Sequence, residues 1–547
     1  MTHTTILRVL AATICLSQLT MMVPAAEAQS PPNVLVVLYD DMGFSDLGCY
    51  GGEIATPNID RLAENGLRFT QFYNTTRCWP TRTALMTGFY PQQVRSDPPQ
   101  GKLPQGTALV PHYLKTAGYR SYHSGKWHVP GASRPCLDGG FEHSYELTDH
   151  DRNFYPQSHT KDDQPLPPVN RDDNGGYYTS TFFTDQMIGY LQDHAEKHSD
   201  TPFFAYVAYT APHFPLHAPQ EVIDKYRGRY LEGWDSIRQK RYDRLTKAGI
   251  IQTTLSPRDE DVGPAYRYDM FPERVFDLSP LGPNEVVYPV AWDTLSDSQK
   301  AFQAEKMAIY AAMVDCVDHE VGRLVAELKK NGTFDNTVIF VLSDNGSSPE
   351  LMIRGDEHDP EAVPGSGRSF LCVGAGWATA SNTPFRLHKI WTHEGGISTP
   401  LVVHWPQGIS DQMRGTLRHE PGHVVDLLPT VVELSGASME PNQSGLPVTG
   451  RSLLSAIQTE NAQTDDAFLQ REFYFSHEGN RGIRSGWYKA VSTAPDRQGD
   501  DQWRLYDLQT DRAETSDLST QNPEKLCELV EKWEAMTKRF AEESKRP

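Results

Sequence analysis

Cysteine is scarce in this chain: seven in 547 residues, at positions 15, 49, 78, 136, 316, 372 and 527. No two are spaced as CxxC, which removes the usual zinc-ribbon and thioredoxin readings. Six in the more than 500 residues after position 28 do not make a disulfide framework, and no pairing is readable from their positions. A GxSxG elbow is missing, which disfavours an α/β-hydrolase. So are GxxxxGK[ST] and a GxGxxG after a strand, and "HEGG" at 393–396 lacks the second histidine of a zinc-protease helix. Positive charge is in the minority, 51 Lys and Arg against 71 Asp and Glu, for a net charge of −20. Such a surface argues against general binding to nucleic acid or anionic membrane. An anionic substrate would need positive charge concentrated in its site.

Long apolar runs are equally few. Val9 to Val23 form one of signal-peptide length behind Arg8, and "AEA" at 26–28 fits a small-residue cleavage site before Gln29. No other stretch is long and apolar enough to span a bilayer. Residues 1–28 therefore read as a signal peptide, and the mature protein as exported, periplasmic or secreted, with no membrane span after cleavage. Residues 29–440 read as a large α/β domain and 441–547 as a smaller α+β domain, after the composition change in "ASMEPNQSGLPVTG".

What the chain does have is one design used four times. An apolar, β-rich run leads at once into polar residues: "NVLVVLYDDMG", "NTVIFVLSDNGSS", "PFFAYVAYTAPHFP" and "GYRSYHSGKWH". Near-continuous apolar runs suit strands covered on both faces. Ligand sites of open α/β sheets lie at the carboxyl ends of such strands. Helices are expected at "TPNIDRLAENG", with its proline start and glycine stop, from about Ser298 to Leu328, and at "VVDLLPTVVELSGA". Residues 220–295 read as an excursion. A final amphipathic helix is expected over Pro523 to Glu543, after the short strand-like pieces "EFYFSHEGN", "GIRSGWYKAVS" and "QWRLYDLQT".

Two of the strand ends, Asp40–Asp41 and Asp344–Asn345, offer three carboxylates and an amide oxygen. All-oxygen ligation favours a hard cation, Ca²⁺ or Mg²⁺, over zinc. The basic counter-set is Arg82, Lys126, His128, His213 and Lys389, enough to hold a tetrahedral oxyanion in an acidic protein. Four N-x-[ST] tripeptides occur, at Asn74, Asn331, Asn345 and Asn442; Asn345 is better used as a ligand.

"CWPTR", with Cys78 at its head, matches the C-x-P-[ST]-R signature of type I sulfatases. "DDMGFSDLGCYGG", "GKWH", "APHFPLHAP", "VLSDNG", "FRLHK" and "HEGGISTPLVVHWP" follow the family's order. The chain resembles bacterial arylsulfatases over nearly all of 32–520. Position 81 is Thr where Ser is more frequent. The resemblance implies an alkaline-phosphatase-like α/β fold, a large mixed sheet with helices on both faces, plus a smaller C-terminal α+β domain with a short antiparallel sheet. It implies that a maturation enzyme oxidises Cys78 to formylglycine. It also implies that Asp40, Asp41, Asp344 and Asn345, with residue 78, bind Ca²⁺ (Mg²⁺ is the alternative). Arg82 would steady the hydrated aldehyde, and Lys126 and Lys389 would hold sulfate oxygens. His213 would protonate the leaving alcohol or phenol, and His128 would take the proton that lets sulfate leave. Trp127, His217, His393, His477 and Glu478 are candidates for the substrate pocket. The expected activity is arylsulfatase-type hydrolysis of small-molecule or sugar sulfate esters. The alternatives are a carbohydrate-specific sulfatase, a phosphonate or phosphate ester hydrolase of the same superfamily, and a non-catalytic binding protein.

Overall fold

The computed structural model describes residues 30–171, 176–264, 278–354, 358–460, 466–495 and 499–546. The four strand-end motifs are neighbours in one sheet. Its strands are β1 (Asn33–Asp40), β2 (Leu67–Tyr73), β3 (Arg120–Gly125), β4 (His143–Leu147), β5 (His159–Lys161), β6 (Gln164–Pro165), β7 (Phe203–Pro212), β8 (Thr337–Ser343), β9 (Ser398–His404), β10 (Thr416–Arg418) and β11 (Gly422–His423). The order is β10-β2-β9-β8-β1-β7-β3-β4-β5-β6, with β11 also on β2. The centre, β8-β1-β7-β3-β4, is parallel. Strand β9 runs antiparallel to both β8 and β2, so the sheet is mixed.

The continuous apolar runs have the reason expected of them. Alternate residues of β1 enter two different cores: Leu35, Val37 and Tyr39 on one face, Val34, Val36 and Leu38 on the other. The first core is closed by the helix Asp297–Lys330, whose Ile309, Met313, Val317, Val321, Leu324 and Leu328 are fully buried. Its start is fixed by a capping box in which the Ser296 hydroxyl accepts from Gln299 N–H and Gln299 reaches back to Ser296 N–H. The second core is closed by Cys78–Thr87, Val110–Lys115 and Leu427–Ser435. Helices thus cover both faces.

The short C-terminal pieces form an antiparallel meander, β12 (Glu472–His477), β13 (Asn480–Ser485), β14 (Tyr488–Ser492) and β15 (Trp503–Asp507). "GIRSGWYKAVS" lies across two of these strands, because left-handed Gly486 turns the chain between them. The helix Pro523–Glu543 packs Leu529 against Ile483, Ala490 and Leu505. Its Phe540 meets Tyr90 and Tyr474. The excursion at 220–295 contains the helix Gly233–Lys247, whose buried Arg241 is paired with Asp46 and Glu53. Positions 1–28, expected to form a signal peptide, lie outside the described residues.

Candidate active site

Strand β1 delivers Asp40 as its last residue, and Asp41 follows in the left-handed region at φ 69°. Aspartate tolerates that conformation better than bulkier residues, and it turns the Asp41 carboxylate back toward β8. There the Asp41 N–H donates to Asp344 Oδ1 at 3.3 Å, and Asn345 Nδ2 donates to Asp41 Oδ1 at 2.6 Å. Residue Asp40 is registered against Pro212, so His213 leaves β7 beside it. Lys126 leaves β3 with its N–H on Ala208 C=O.

Cys78 is the first residue of its helix and is buried. Arg82 is one turn later on the same face. Its guanidinium is fully enclosed: Nε and Nη2 donate to Asp344 Oδ2 at 3.0 and 2.8 Å, and Nη1 donates to Lys126 C=O at 2.7 Å. Lys126 Nζ donates to Asp40 Oδ2 at 2.6 Å. Lys389 Nζ donates to Asp41 Oδ2 and to Glu350 Oε2, both at 3.0 Å. His213 Nδ1 donates to Phe214 C=O at 2.5 Å, leaving Nε2 3.8 Å from Asp41 Oδ2.

Three carboxylates in so small a buried space repel one another. Burial, only partly offset by Lys389, and the neighbouring Asp40 charge push the Asp41 carboxyl up to about 7. Asp344 is likewise held well above the carboxylate range by burial and Asp40, against the pull of Arg82. Burial also opposes ionisation of Asp40, but Lys126, His213 and Arg82 outweigh it and hold Asp40 well below that range. For Cys78, burial pushes the thiol up, and Lys126 with Lys389 pull it further down, below the ordinary thiol value. Two buried acceptors, Asp40 Oδ1 and Asn345 Oδ1, have no hydrogen-bond partner among the described residues. Orphaned oxygens beside crowded carboxylates are what a hard cation would satisfy. Asp40, Asp41 and His213 also lie close enough to ligate one ion.

Above Cys78 opens a cavity of about 390 Å³, within the roughly 300–1,000 Å³ of small-molecule sites. Cys78, Lys126, His128, His213 and Lys389 line it. Trp127 does not: its indole N–H donates to Ala132 C=O, and its ring packs on His123 and Phe141 in the second core. His217 is buried with Nε2 on Ser369 C=O, and His393 is buried ahead of the turn Glu394–Ile397. Neither reaches the cavity lining. His477 sits behind the wall, its Nδ1 on Asp97 Oδ2 and its ring edge-on to Trp79. Glu478 pairs with Arg77 at 3.2 Å.

Several lining residues carry no sequence motif: Arg77, Glu350, Arg354 and the run 149–152. Glu350 is the most enclosed of them, paired with Lys389 and, at 3.5 Å, with Arg77. Its one signal is position, six residues beyond Asp344 on the exit of β8. Local structure also disposes of a zinc-protease pattern. "HEPGH" at 419–423 spells HExxH, yet Pro421 sits inside it and the segment is a bend entering β11, so the histidines share no helical face. Two of the four glycosylation tripeptides, at Asn74 and Asn345, are fully buried.

Comparison with known proteins agrees with this geometry. A family model described as Sulfatase matches residues 32–437, and one described as N-sulphoglucosamine sulphohydrolase, C-terminal, matches 386–542. An uncharacterised sulfatase of Schizosaccharomyces pombe is 32% identical over 552 residues, 92% of each chain. An arylsulfatase of Klebsiella aerogenes is 31% identical over 81% of this chain and 96% of its own. Among solved structures, the PsFucS1 sulfatase from Pseudoalteromonas sp. superposes with TM-score 0.61 at 20% identity, covering 94% of this chain and 92% of that one. The shared fold is the alkaline-phosphatase-like one, with its large mixed sheet and separate four-stranded antiparallel sheet.

Proposed function

The chain belongs to the sulfatase family and is a sulfuric ester hydrolase, and from that premise we propose a formylglycine-dependent hydrolase of sulfate monoesters. The observation that carries this reading is one convergence. Cys78 at a helix start lines one cavity with Lys126 and Lys389, and directly behind them the two lysines and Arg82 are paired with the strand-end carboxylates Asp40, Asp41 and Asp344. Asp40, Asp41, Asp344 and Asn345 would hold the metal, and their all-oxygen set fits Ca²⁺. When present, the hydrated aldehyde at residue 78 supplies one hydroxyl to attack sulfur and a second whose deprotonation expels sulfate, and the cation supplies positive charge beside both.

The chain's own residues do the rest. Lys126 and Lys389, ammonium groups fixed by Asp40, Asp41 and Glu350, receive the sulfate oxygens. Arg82 locks Asp344 and the backbone of Lys126 in place and is too deeply enclosed to move. With Nδ1 committed to Phe214 C=O, Nε2 is the His213 atom left for the departing oxygen; burial holds the imidazole well below its ordinary pKa, so the proton passes through Nε2 from the Lys389 ammonium. His128, whose Nδ1 lacks a partner among the described residues, takes the proton that lets sulfate leave. The cationic residues face an anion that the −20 net charge would otherwise repel.

The same reading includes a maturation enzyme acting on Cys78, cleavage of the signal after position 28, and domains at 29–440 and 441–547. Mass spectrometry of the tryptic peptide carrying residue 78, on protein from a host with the maturation enzyme, is the direct test. The expected result is a mass loss corresponding to thiol-to-aldehyde conversion, together with release of 4-nitrophenol faster from the sulfate than from the phosphate. An unmodified cysteine in an active preparation would overturn the mechanism, and a faster phosphate reaction would overturn the substrate class. N-terminal sequencing that begins at Gln29 would support export.

A further inference from the structure

The rim of the cavity, like its floor, pairs cations with carboxylates, but the rim's carboxylates lie outside the set that would hold the metal. Its arginines are already matched by carboxylates. Arg354 Nη2 meets Asp151 Oδ1 at 3.1 Å, Arg152 Nη1 meets Asp149 Oδ2 at 3.0 Å, and Arg77 meets Glu478. The first pair joins two walls, the run after β4 and the run after β8. Arg354 is further held over the Phe214 ring at 4.9 Å. Its two members remain partly open to the cavity, with side chains 30% and 26% exposed. Asp149 is deeper: its Oδ2 also accepts the N–H of Gln157 and Ser158, and its buried Oδ1 has no partner among the described residues.

Such a rim discriminates among leaving groups. A hydroxyl-bearing, uncharged molecule satisfies both halves of each pair, since guanidinium N–H groups donate to hydroxyl oxygens and carboxylates accept hydroxyl protons. A second sulfate or carboxylate would lie near Asp151 as well as Arg354, so repulsion would offset attraction. A bare aromatic ring would cover charged groups without offering them hydrogen bonds, which is costly.

We propose that the natural leaving group is an uncharged, polyhydroxylated alcohol, a neutral sugar bearing a single sulfate, selected by the Arg354–Asp151 pair. This rests on the sulfatase reading above and concerns only the alcohol side of the ester.

The test uses the matured, metal-loaded enzyme on three substrate sets. These are galactose and glucose monosulfates at each ring position, the same sugars with a second sulfate, and 4-nitrophenyl sulfate. At least one monosulfate is expected to have the highest kcat/KM, and a second sulfate to lower it at least tenfold. In Asp151→Asn, Arg354 is released from its carboxylate, so the disulfate-to-monosulfate ratio should rise about tenfold, the size of one charge-assisted hydrogen bond. In Arg354→Gln, the monosulfate-to-nitrophenyl ratio should fall by a similar factor, and this variant carries the test if the other does not fold. Preference for disulfated sugars or for the nitrophenyl ester, or ratios unmoved in a folded variant, would overturn the proposal. If protein with oxidised residue 78 releases sulfate from none of these esters, it is the sulfatase mechanism that fails, not the rim assignment.

Discussion

Glu350 and Lys389 form a fully enclosed ion pair, Oε2 to Nζ 3.0 Å, at the point where the floor of the cavity meets its wall. Lys389 has a second carboxylate in Asp41, and Glu350 a second cation in Arg77. Burial alone would raise the Glu350 carboxyl, but Lys389 and Arg77 hold it well below the usual range, so it is ionised. Removing one partner of a buried pair leaves an uncompensated charge, worth about 3–5 kcal/mol. Glu350→Gln keeps the shape and removes the charge, and Lys389 would then settle on Asp41. The expected result is a fall of about 10- to 100-fold in kcat/KM for 4-nitrophenyl sulfate. Glu350→Asp should recover part of it. A variant with unchanged kcat/KM would show that Lys389 is placed by Asp41 alone.

Chelation should act on stability as well as activity. Without a cation, Asp40, Asp41 and Asp344 face one another, and two of the three resist ionisation. A ligand that binds only the folded state stabilises it by RT ln(1 + [L]/Kd), about 2.7 kcal/mol at 100 Kd. Dialysis against a chelator is expected to lower Tm by about 2–3 °C and abolish turnover, with Ca²⁺ restoring both. A Tm indifferent to chelator and to added Ca²⁺ would remove the cation from this site.

Much of this site could be read from the sequence because strand exits carry their own signature. Three near-continuous apolar runs read as central strands, and the polar residues ending them meet at one edge; the fourth, "GYRSYHSGKWH", carries Arg120, Ser121, His123 and Ser124 and is marked more by its polar exit than by its run. The alternation after β3 was harder. Lys126 and His128 face the cavity while Trp127, between them, points into the core, so adjacency in sequence misled for the tryptophan. Asp149, Asp151, Glu350 and Arg354 were illegible because they lie on irregular connections, where no periodicity marks which side faces a ligand. "GSGRSFLCVGAGWATASN" offers no periodicity either. It contains a helix, Gly374–Ser381, so short and so uniformly buried that it has no polar face to betray it.

A second buried ionic cluster ties β14 to the main body and predicts a pH effect. Lys489 Nζ lies 3.0 Å from Glu394 and 2.8 Å from Glu514, all three fully buried. Burial and the Glu394 charge outweigh Lys489 and push Glu514 up to about 7. At Glu394 burial acts in the same direction but is overcome by Lys489 and Arg512, which hold it down at about 2. A carboxyl raised on folding contributes stability that is full below its unfolded pKa of about 4.3 and is lost as pH rises through about 7. Glu394 has the opposite sign, contributing above that unfolded value and losing its contribution only near pH 2. Between pH 5 and 8 the Glu514 contribution therefore falls while that of Glu394 stays constant. Glu514→Gln should gain thermal stability relative to the parent as pH rises from about 5 to 8, measured as the difference in Tm. A Tm difference that is flat over this range would place the titration elsewhere.

The identity of residue 78 is open to one further test, which separates chemistry from binding. Serine at 78 presents one hydroxyl to the same floor, with Arg82 still one turn away and Lys126 and Lys389 still in place. Attack on sulfur would then leave a sulfate ester on the serine with no second hydroxyl to expel it. Cys78→Ser is expected to bind 4-nitrophenyl sulfate with little change in affinity. It should release at most one equivalent of nitrophenol per protein, and intact mass should show the added sulfuryl group. Repeated turnover by this variant would mean that a single hydroxyl suffices, and the requirement for an aldehyde hydrate would fall with it.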